Sequence, residues 1–459
     1  MADLDTASAY DLSMCLRDRK LGAAELMAHC LDRIEKSNDG VNALVTLDKD
    51  QAMDMAKEAD NTSPDGRLLH GLPLAVKDCY DIGGMRGTSG SRAFADRVAE
   101  ADTLHVARLR KAGALPFAKT NTPEFTMGGQ TVNEVFGITR NPYDLTKTTT
   151  GSSGGSAAAL AAKMTMLADG SDIGGSVRSP AGACNVVGFR PSHGVIPASP
   201  AFDPYSVINT PGPMARTVTD IALMLLVMSG PDDSAPIASR RVDALSDVIE
   251  PPDIRGMRIA WAHNPAGAVS DAATTDVLDA QRPTFEKLGC SIADHCPDLV
   301  EAHQAQQTLY SIAQASEVRD IVRASPHLIG EHVCKRVDAI LGMTSADDIV
   351  TGIQQRKRGW ALLAETFDRF DVMVWPVNPV RLFSADLAES DYVFDWRPVE
   401  ISPVFGLPSI SVPGGFSDDG LPVGLQILGR PGADETVLRV ARAFEAETEF
   451  WKTAPFALS

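Results

Sequence analysis

Thr148-Thr149-Thr150-Gly151-Ser152-Ser153-Gly154-Gly155-Ser156 leads into an alanine-rich run over 157–162, and Gly170-Ser171-Asp172-Ile173-Gly174-Gly175-Ser176-Val177-Arg178 follows soon after. Glycine admits backbone conformations closed to other residues and lets a ligand approach the main chain. The alanine-rich run reads as a helix, so the first glycine-serine loop is an ordered loop feeding a helix N-terminus. The second can aim the backbone N–H groups of Ile173, Gly174, Gly175 and Ser176 at one point, as an oxyanion hole requires. Ser176, at its end, is placed as a nucleophile. A phosphate cradle is the weaker reading, because neither G-x-x-x-x-G-K-[ST] nor a G-x-G-x-x-G after a strand is present.

A serine hydroxyl needs a base. None of the nine histidines stands in a recognisable triad context, and no G-x-S-x-G elbow surrounds these serines. Lysine can serve if burial keeps it neutral. Lys77 ends the apolar stretch Leu72-Pro73-Leu74-Ala75-Val76-Lys77-Asp78. Leu72, Leu74 and Val76 alternate as in a strand, putting Ala75 and Lys77 on the opposite face.

Outward from this core, Ser8 with Asp11, and Thr217 with Asp220, read as helix starts. Leu26, Met27, Cys30, Leu31 and Ile34 line one helical face. Thr62–Gly66 is a turn cluster. Residues 100–145 read as helix, strand and loop, and residues 258–370 mainly as helices with a strand at 257–262. Val372–Trp375 and Leu421–Leu428 read as strands, and Thr436–Glu447 as an amphipathic helix. Helices alternate with strands, so the class is α/β.

The 459 residues carry 42 Lys plus Arg against 60 Asp plus Glu, a formal charge of −18, with 44 % apolar and 22 % charged residues. This is a globular composition rather than that of a disordered chain. The acidity argues against a nucleic-acid partner, which demands clustered Lys and Arg. The apolar run 221–228 is 8 residues long, against roughly 20 for a membrane span, so no membrane partner is expected. Residues 1–6 are acidic and lack a signal-peptide pattern. Seven scattered cysteines, in no common zinc-knuckle spacing, read as reduced thiols of a cytoplasmic protein.

The chain resembles the amidase signature enzymes over nearly its whole length. The resemblance rests on Gly71–Asp78, Lys119-Thr120-Asn121-Thr122-Pro123-Glu124, Gly151–Ala159 and Gly170–Arg178. It continues in Gly188-Phe189-Arg190-Pro191, Gly212–Val218 and Gly420–Gln426, all in the family's order. It implies a single α/β/α domain over 1–459 with a large mixed central sheet surrounded by helices. Within it fall an N-terminal helical segment (1–65), a catalytic core (66–230), a surface linker rich in Asp, Pro and Ser (231–257) and a pocket-shaping part (258–459).

The resemblance also implies a Ser–Ser–Lys triad. Ser176 maps to the nucleophile, Lys77 to the base, and Ser152, preceded in the family by a cis peptide, to the bridging proton relay. Ser153 and Ser171 are implied to hydrogen-bond within this network, and Asp172 and Arg178 to brace the loop. Phe125, Thr126, Met127 and Gln130 are implied in the acyl pocket. Segments 195–215 and 300–400 should decide the rest of its shape. Thr150 stands where relatives more often carry Gly, and Ser171 where they more often carry Thr. No metal or organic cofactor is implied, and a homodimer is common among relatives.

The expected activity is that of a stand-alone amidase, which hydrolyses the C–N bond of a small carboxamide through an acyl-enzyme. The alternatives are the A subunit of a tRNA-dependent amidotransferase, a carbamate- or urea-type C–N hydrolase, or a catalytically dead binding protein. Against the amidotransferase reading stands Gly175-Ser176-Val177-Arg178-Ser179-Pro180, where such proteins carry Gln in place of Ser179.

Overall fold

The computed structural model describes residues 3–199, 205–206, 208–387 and 394–455. Among them, eleven strands form one mixed sheet: β1 (Leu44–Leu47), β2 (Pro73–Lys77), β3 (Leu115–Thr120), β4 (Leu167–Asp172), β5 (Val187–Arg190), β6 (Thr210–Ala215), β7 (Arg258–Trp261), β8 (Ser291–Asp294), β9 (Val372–Pro376), β10 (Ser409–Phe416) and β11 (Pro422–Gly429). Their spatial order is β1-β3-β2-β4-β6-β5-β10-β11-β9-β7-β8. β2 runs parallel to β3 and β4, β7 is parallel to β8 and β9, and the remaining pairs are antiparallel.

Helices cover both faces. One side packs Leu74, Val76, Phe117, Phe189, Val374 and Ile427 against Leu12, Leu26, Ile221, Leu225 and Phe444. On the other, Met373, Trp375 and Leu428 meet Leu363 and Phe367. No helix among the described residues is long and apolar enough to cross a membrane.

The expected helix starts form: Ser8 Oγ accepts the Asp11 N–H and Thr217 Oγ1 that of Asp220. Lys77 does end a strand, and the strands expected near 257–262, 372–375 and 421–428 are present. β1, β5, β6, β8 and β10 occupy segments whose patterning announced no strand. β6 is buried throughout, and its Pro211, Gly212 and Pro213 disguise it as a turn; β10 alternates over Ser409-Ile410-Ser411-Val412, but Pro413-Gly414-Gly415 interrupts the pattern. The run Gly170–Ser176 is also only partly a loop, because Gly170, Ser171 and Asp172 complete β4. Over 231–257, Val242, Ala244, Val248 and Ile254 are buried in the main core, and Leu245–Val248 is helical.

Candidate active site

Parallel pairing brings the C-terminal ends of β2 and β4 together, and that geometry positions the site. Lys77 is the last residue of β2, and Ser171 the penultimate residue of β4. Between them lies the loop that opens the helix Gly154–Ala161, whose small buried residues allow it to lie close to the sheet. The Gly151–Ser152 peptide is cis.

Lys77 is fully buried and donates to three hydroxyls: Ser152 Oγ at 2.7 Å, Ser153 Oγ at 2.8 Å and Ser171 Oγ at 2.9 Å. Three neutral acceptors solvate the amine without an ion pair. Burial pushes it down to about 8, while the charges of Cys79, Asp169 and Asp172 act in the opposite direction. The approach needs Gly170, where a Cβ would lie 2.6 Å from Ser153 Oγ. Ser176 is half-buried, and its carbonyl accepts the Ser153 N–H at 3.1 Å, which joins the two serine loops.

The loop 173–176 is held from below by Asp172. Its carboxylate accepts Arg178 Nε at 3.0 Å and Nη2 at 2.9 Å, Arg190 Nη1 at 3.2 Å, and the amides of Gly175 at 3.1 Å and Val177 at 3.3 Å. Burial alone would raise this carboxyl; the guanidinium groups of Arg178 and Arg190 outweigh it and hold it at about 2. The Gly175 amide is thus committed to Asp172. Among the described residues the amides of Ile173, Gly174 and Ser176 have no acceptor, so the candidate oxyanion donors narrow to these three. Gly175 has φ +97°, and a Cβ there would lie 2.2 Å from Val399 Cγ2.

A cavity of about 370 Å³ adjoins the cluster, with Cys79, Tyr80, Phe125, Thr126, Ser171 and Val318 among its walls. Ser152 and Ser176 are not among its lining residues. Of the four residues expected in the acyl pocket, Phe125 and Thr126 line this cavity. Met127 packs instead against Val318, Val322, Ile329, Val333 and Val337, and Gln130 donates its amide to the Ala385 carbonyl. Neither is among the cavity's lining residues; Phe125 and Thr126, which are, both have positive φ.

Trp375 is a core residue whose Nε1 donates to the Pro398 carbonyl at 3.1 Å. From the segments 195–215 and 300–400, Ile196, Ala198, Asn209, Glu317 and Val318 line the same cavity.

Sequence reasoning missed several neighbours. Gln306, from the helix Val300–Ala324, donates to the Ile173 carbonyl at 3.0 Å. Glu400 sits above Gly174 and accepts from Gln307 at 2.8 Å. Asp169 accepts the Lys77 backbone N–H at 2.6 Å. Only Asp169 left a signal, as a carboxylate interrupting a strand between Ala168 and Gly170.

The site is thus a buried lysine held by serine hydroxyls beside a glycine-rich loop. The family profile named Amidase matches residues 25–438, and the chain belongs to the amidase signature family. It is 32 % identical over 483 positions to the glutamyl-tRNA(Gln) amidotransferase A subunit of Caldanaerobacter subterraneus subsp. tengcongensis, covering 98 % of both chains. It is also 32 % identical over 461 positions to an acylamidase of Rhodococcus erythropolis, covering 97 % of this chain and 96 % of that one. The crystal structure of a bacterial aryl acylamidase of the amidase signature family superposes with a TM-score of 0.88 at 26 % identity, covering 97 % of this chain and 98 % of that one.

Proposed function

We propose that the protein is a stand-alone amidase that cleaves the C–N bond of a small carboxamide, with Ser176 as nucleophile, Ser152 as proton relay and Lys77 as base. The observation that carries this reading is the buried Lys77 amine 2.7 Å from Ser152 Oγ. Neutral Lys77 takes the Ser152 proton while Ser152 takes that of Ser176, whose oxygen attacks the carbonyl. Amides of the loop 173–176 receive the developing oxyanion; one such donor is worth about 3–4 kcal/mol. The relay then runs backwards and protonates the leaving nitrogen, since an amine anion is a very poor leaving group. Water enters by the same relay and frees the acid from Ser176.

A component of a tRNA-dependent amidotransferase is the second reading, supported by 32 % identity across 98 % of such a chain. The stand-alone reading is supported by the aryl acylamidase likeness over 97 % of this chain and by Ser179, which stands where the amidotransferase subunits carry Gln; identity to the two classes of relative is equal, at 32 % each. The deciding experiment measures ammonia or amine released from a panel of carboxamides, anilides, carbamates and ureas, with Ser176→Ala beside wild type. Turnover by wild type alone is expected. Silence on every compound would move the weight to an amidotransferase component that works only with its partners.

A further inference from the structure

The relay leaves a buried carboxylate–imidazole pair unused. Asp169 on β4 and His105 on the helix Leu104–Lys111 are both fully buried. Asp169 Oδ1 accepts the backbone N–H of Lys77 at 2.6 Å, and its Oδ2 lies 2.8 Å from His105 Nε2. The Asp169 carbonyl accepts Ser156 Oγ at 2.8 Å. His105 packs edge-on against Tyr80, with ring centroids 4.4 Å apart at 79°. Tyr80 in turn walls the cavity, and its carbonyl receives the Lys119 amine. One carboxyl-bearing residue therefore ties β2, β4 and two helices together directly beneath Lys77.

A buried carboxylate is costly unless its oxygens are satisfied, and an apolar pair could fill the same volume. The placement has a use. Both Asp169 oxygens are engaged by groups other than the Lys77 amine, whose hydrogen-bonding contacts all go to Ser152, Ser153 and Ser171. A carboxylate free to turn would draw that amine off the hydroxyls.

We propose that the His105–Asp169 pair is a positioning device for the Lys77 amine. Asp169 fixes the peptide from which the side chain departs, and His105 fixes the second carboxylate oxygen. The proposal rests on the reading of Lys77 as base. The charged and titratable groups facing Lys77 are Asp169 and Asp172 from β4 and Cys79 from the turn after β2. Asp78 and Lys119, 3.9 Å apart, flank the end of β2, and His105 stands behind Asp169.

The test does not require the natural substrate. Phenylmethanesulfonyl fluoride sulfonylates an activated serine: the Ser176 oxygen–sulfur bond forms, the sulfur–fluorine bond breaks, fluoride leaves, and the serine proton passes through Ser152 to Lys77 and on to solvent. Labelling is followed by intact mass between about pH 6 and about pH 10. Asp169→Asn, which keeps an acceptor for the Lys77 N–H but removes the charge, is expected to move the midpoint down by roughly half a unit or more. His105→Ala is expected to lower the limiting rate by about 10-fold or more. His105→Gln, whose amide can donate to Asp169, should return most of it.

Wild-type midpoint and limiting rate in both Asp169→Asn and His105→Ala, whatever their thermal stability, would make the pair a packing element and overturn the proposal. Should Asp169→Asn fail to fold, the comparison of His105→Ala with His105→Gln decides on the same two quantities. Lys77→Ala labelling as fast as wild type would instead refute the base assignment, and the positioning proposal with it.

Discussion

The reactive cluster and the cavity beside it are built by different rules. The cluster draws on one glycine-serine loop and the ends of two strands, and Ser152, Ser153 and Ser171 sit 2.7 to 2.9 Å from the Lys77 amine. The cavity walls come from segments scattered between Cys79 and Val318. Chemistry demands a particular backbone path, which few residue types allow: Gly170 admits Ser153, and Gly175 admits Val399. A wall demands only volume and apolarity, which many side chains supply. Substrate preference can therefore drift without disturbing the relay, and substitutions in the two regions should fail in different ways.

The largest effects belong to the cluster. Ser176→Ala should reduce turnover by roughly 10³-fold or more while leaving the fold intact; residual activity near wild type would remove the nucleophile assignment. Lys77→Ala should be nearly as damaging. Because burial lowers the Lys77 amine to about 8, the neutral base gains population as pH rises through that value. Activity should therefore climb from neutral to mildly alkaline pH, and a pH–rate profile falling over that interval would contradict a lysine base.

Next comes the brace below the loop. Arg178→Ala leaves the buried Asp172 with Arg190 as its remaining cation. Truncating one partner of a buried pair typically costs about 3–5 kcal/mol, readable as a lower denaturant midpoint. The wild-type brace also predicts an acid response. The Asp172 carboxyl is held at about 2, below its unfolded range, so its contribution is complete above about pH 4 and is lost as pH falls toward the folded value. Acid unfolding monitored by circular dichroism should move to higher pH in the variant.

The same contrast explains what the sequence could reveal. Lys77 and Ser176 are marked by local pattern, an apolar strand end and a glycine loop, whereas Ser152, Ser153, Ser171, Asp172 and Arg178 lie in the same short motifs but are singled out by the family resemblance. The neighbours that complete the site have no such marker. Gln306 reaches Ile173 across 133 residues of chain and Arg178 reaches Gln426 across 248, separations that only the folded sheet closes. The missed strands follow the same logic. β6 and β10 contain Pro211-Gly212-Pro213 and Pro413-Gly414-Gly415, residues that read locally as turns and become strand only because neighbours pair with them on both sides. Local chemistry is written locally, whereas pairing between distant strands is not.

The pocket residues expected around Phe125 allow the wall to be tested against the core. Phe125→Ala opens the cavity and should change the ranking of amide substrates, with KM rising about 10-fold for those that fill it. Met127→Ala, two residues away, removes packing among Val318, Val333 and Val337. It should cost about 2–4 kcal/mol of stability while leaving that ranking unchanged. An unchanged ranking in Phe125→Ala, or a changed one in Met127→Ala, would mean the wall is drawn in the wrong place.

The smallest effect is expected at the entry to the serine loop. Thr150 is fully buried with φ +57°, a left-handed conformation that is costly for a β-branched residue. Replacing it by Gly relieves about 1–2 kcal/mol of that cost. Against this stand the extra chain entropy of glycine, about 0.5–1 kcal/mol, and the loss of the 3.2 Å hydrogen bond from Ser179 Oγ to Thr150 Oγ1, worth about 1 kcal/mol. The backbone bonds survive, since Thr148 Oγ1 still accepts the residue 150 N–H at 2.9 Å and Thr131 still donates to its carbonyl at 2.9 Å. Thr150→Gly should therefore shift stability by less than about 1 kcal/mol in either direction and leave kcat near wild type. A large loss of kcat with unchanged stability would show that the threonine side chain itself holds the serine loop in register, and the boundary of the reactive cluster would have to be extended to include it.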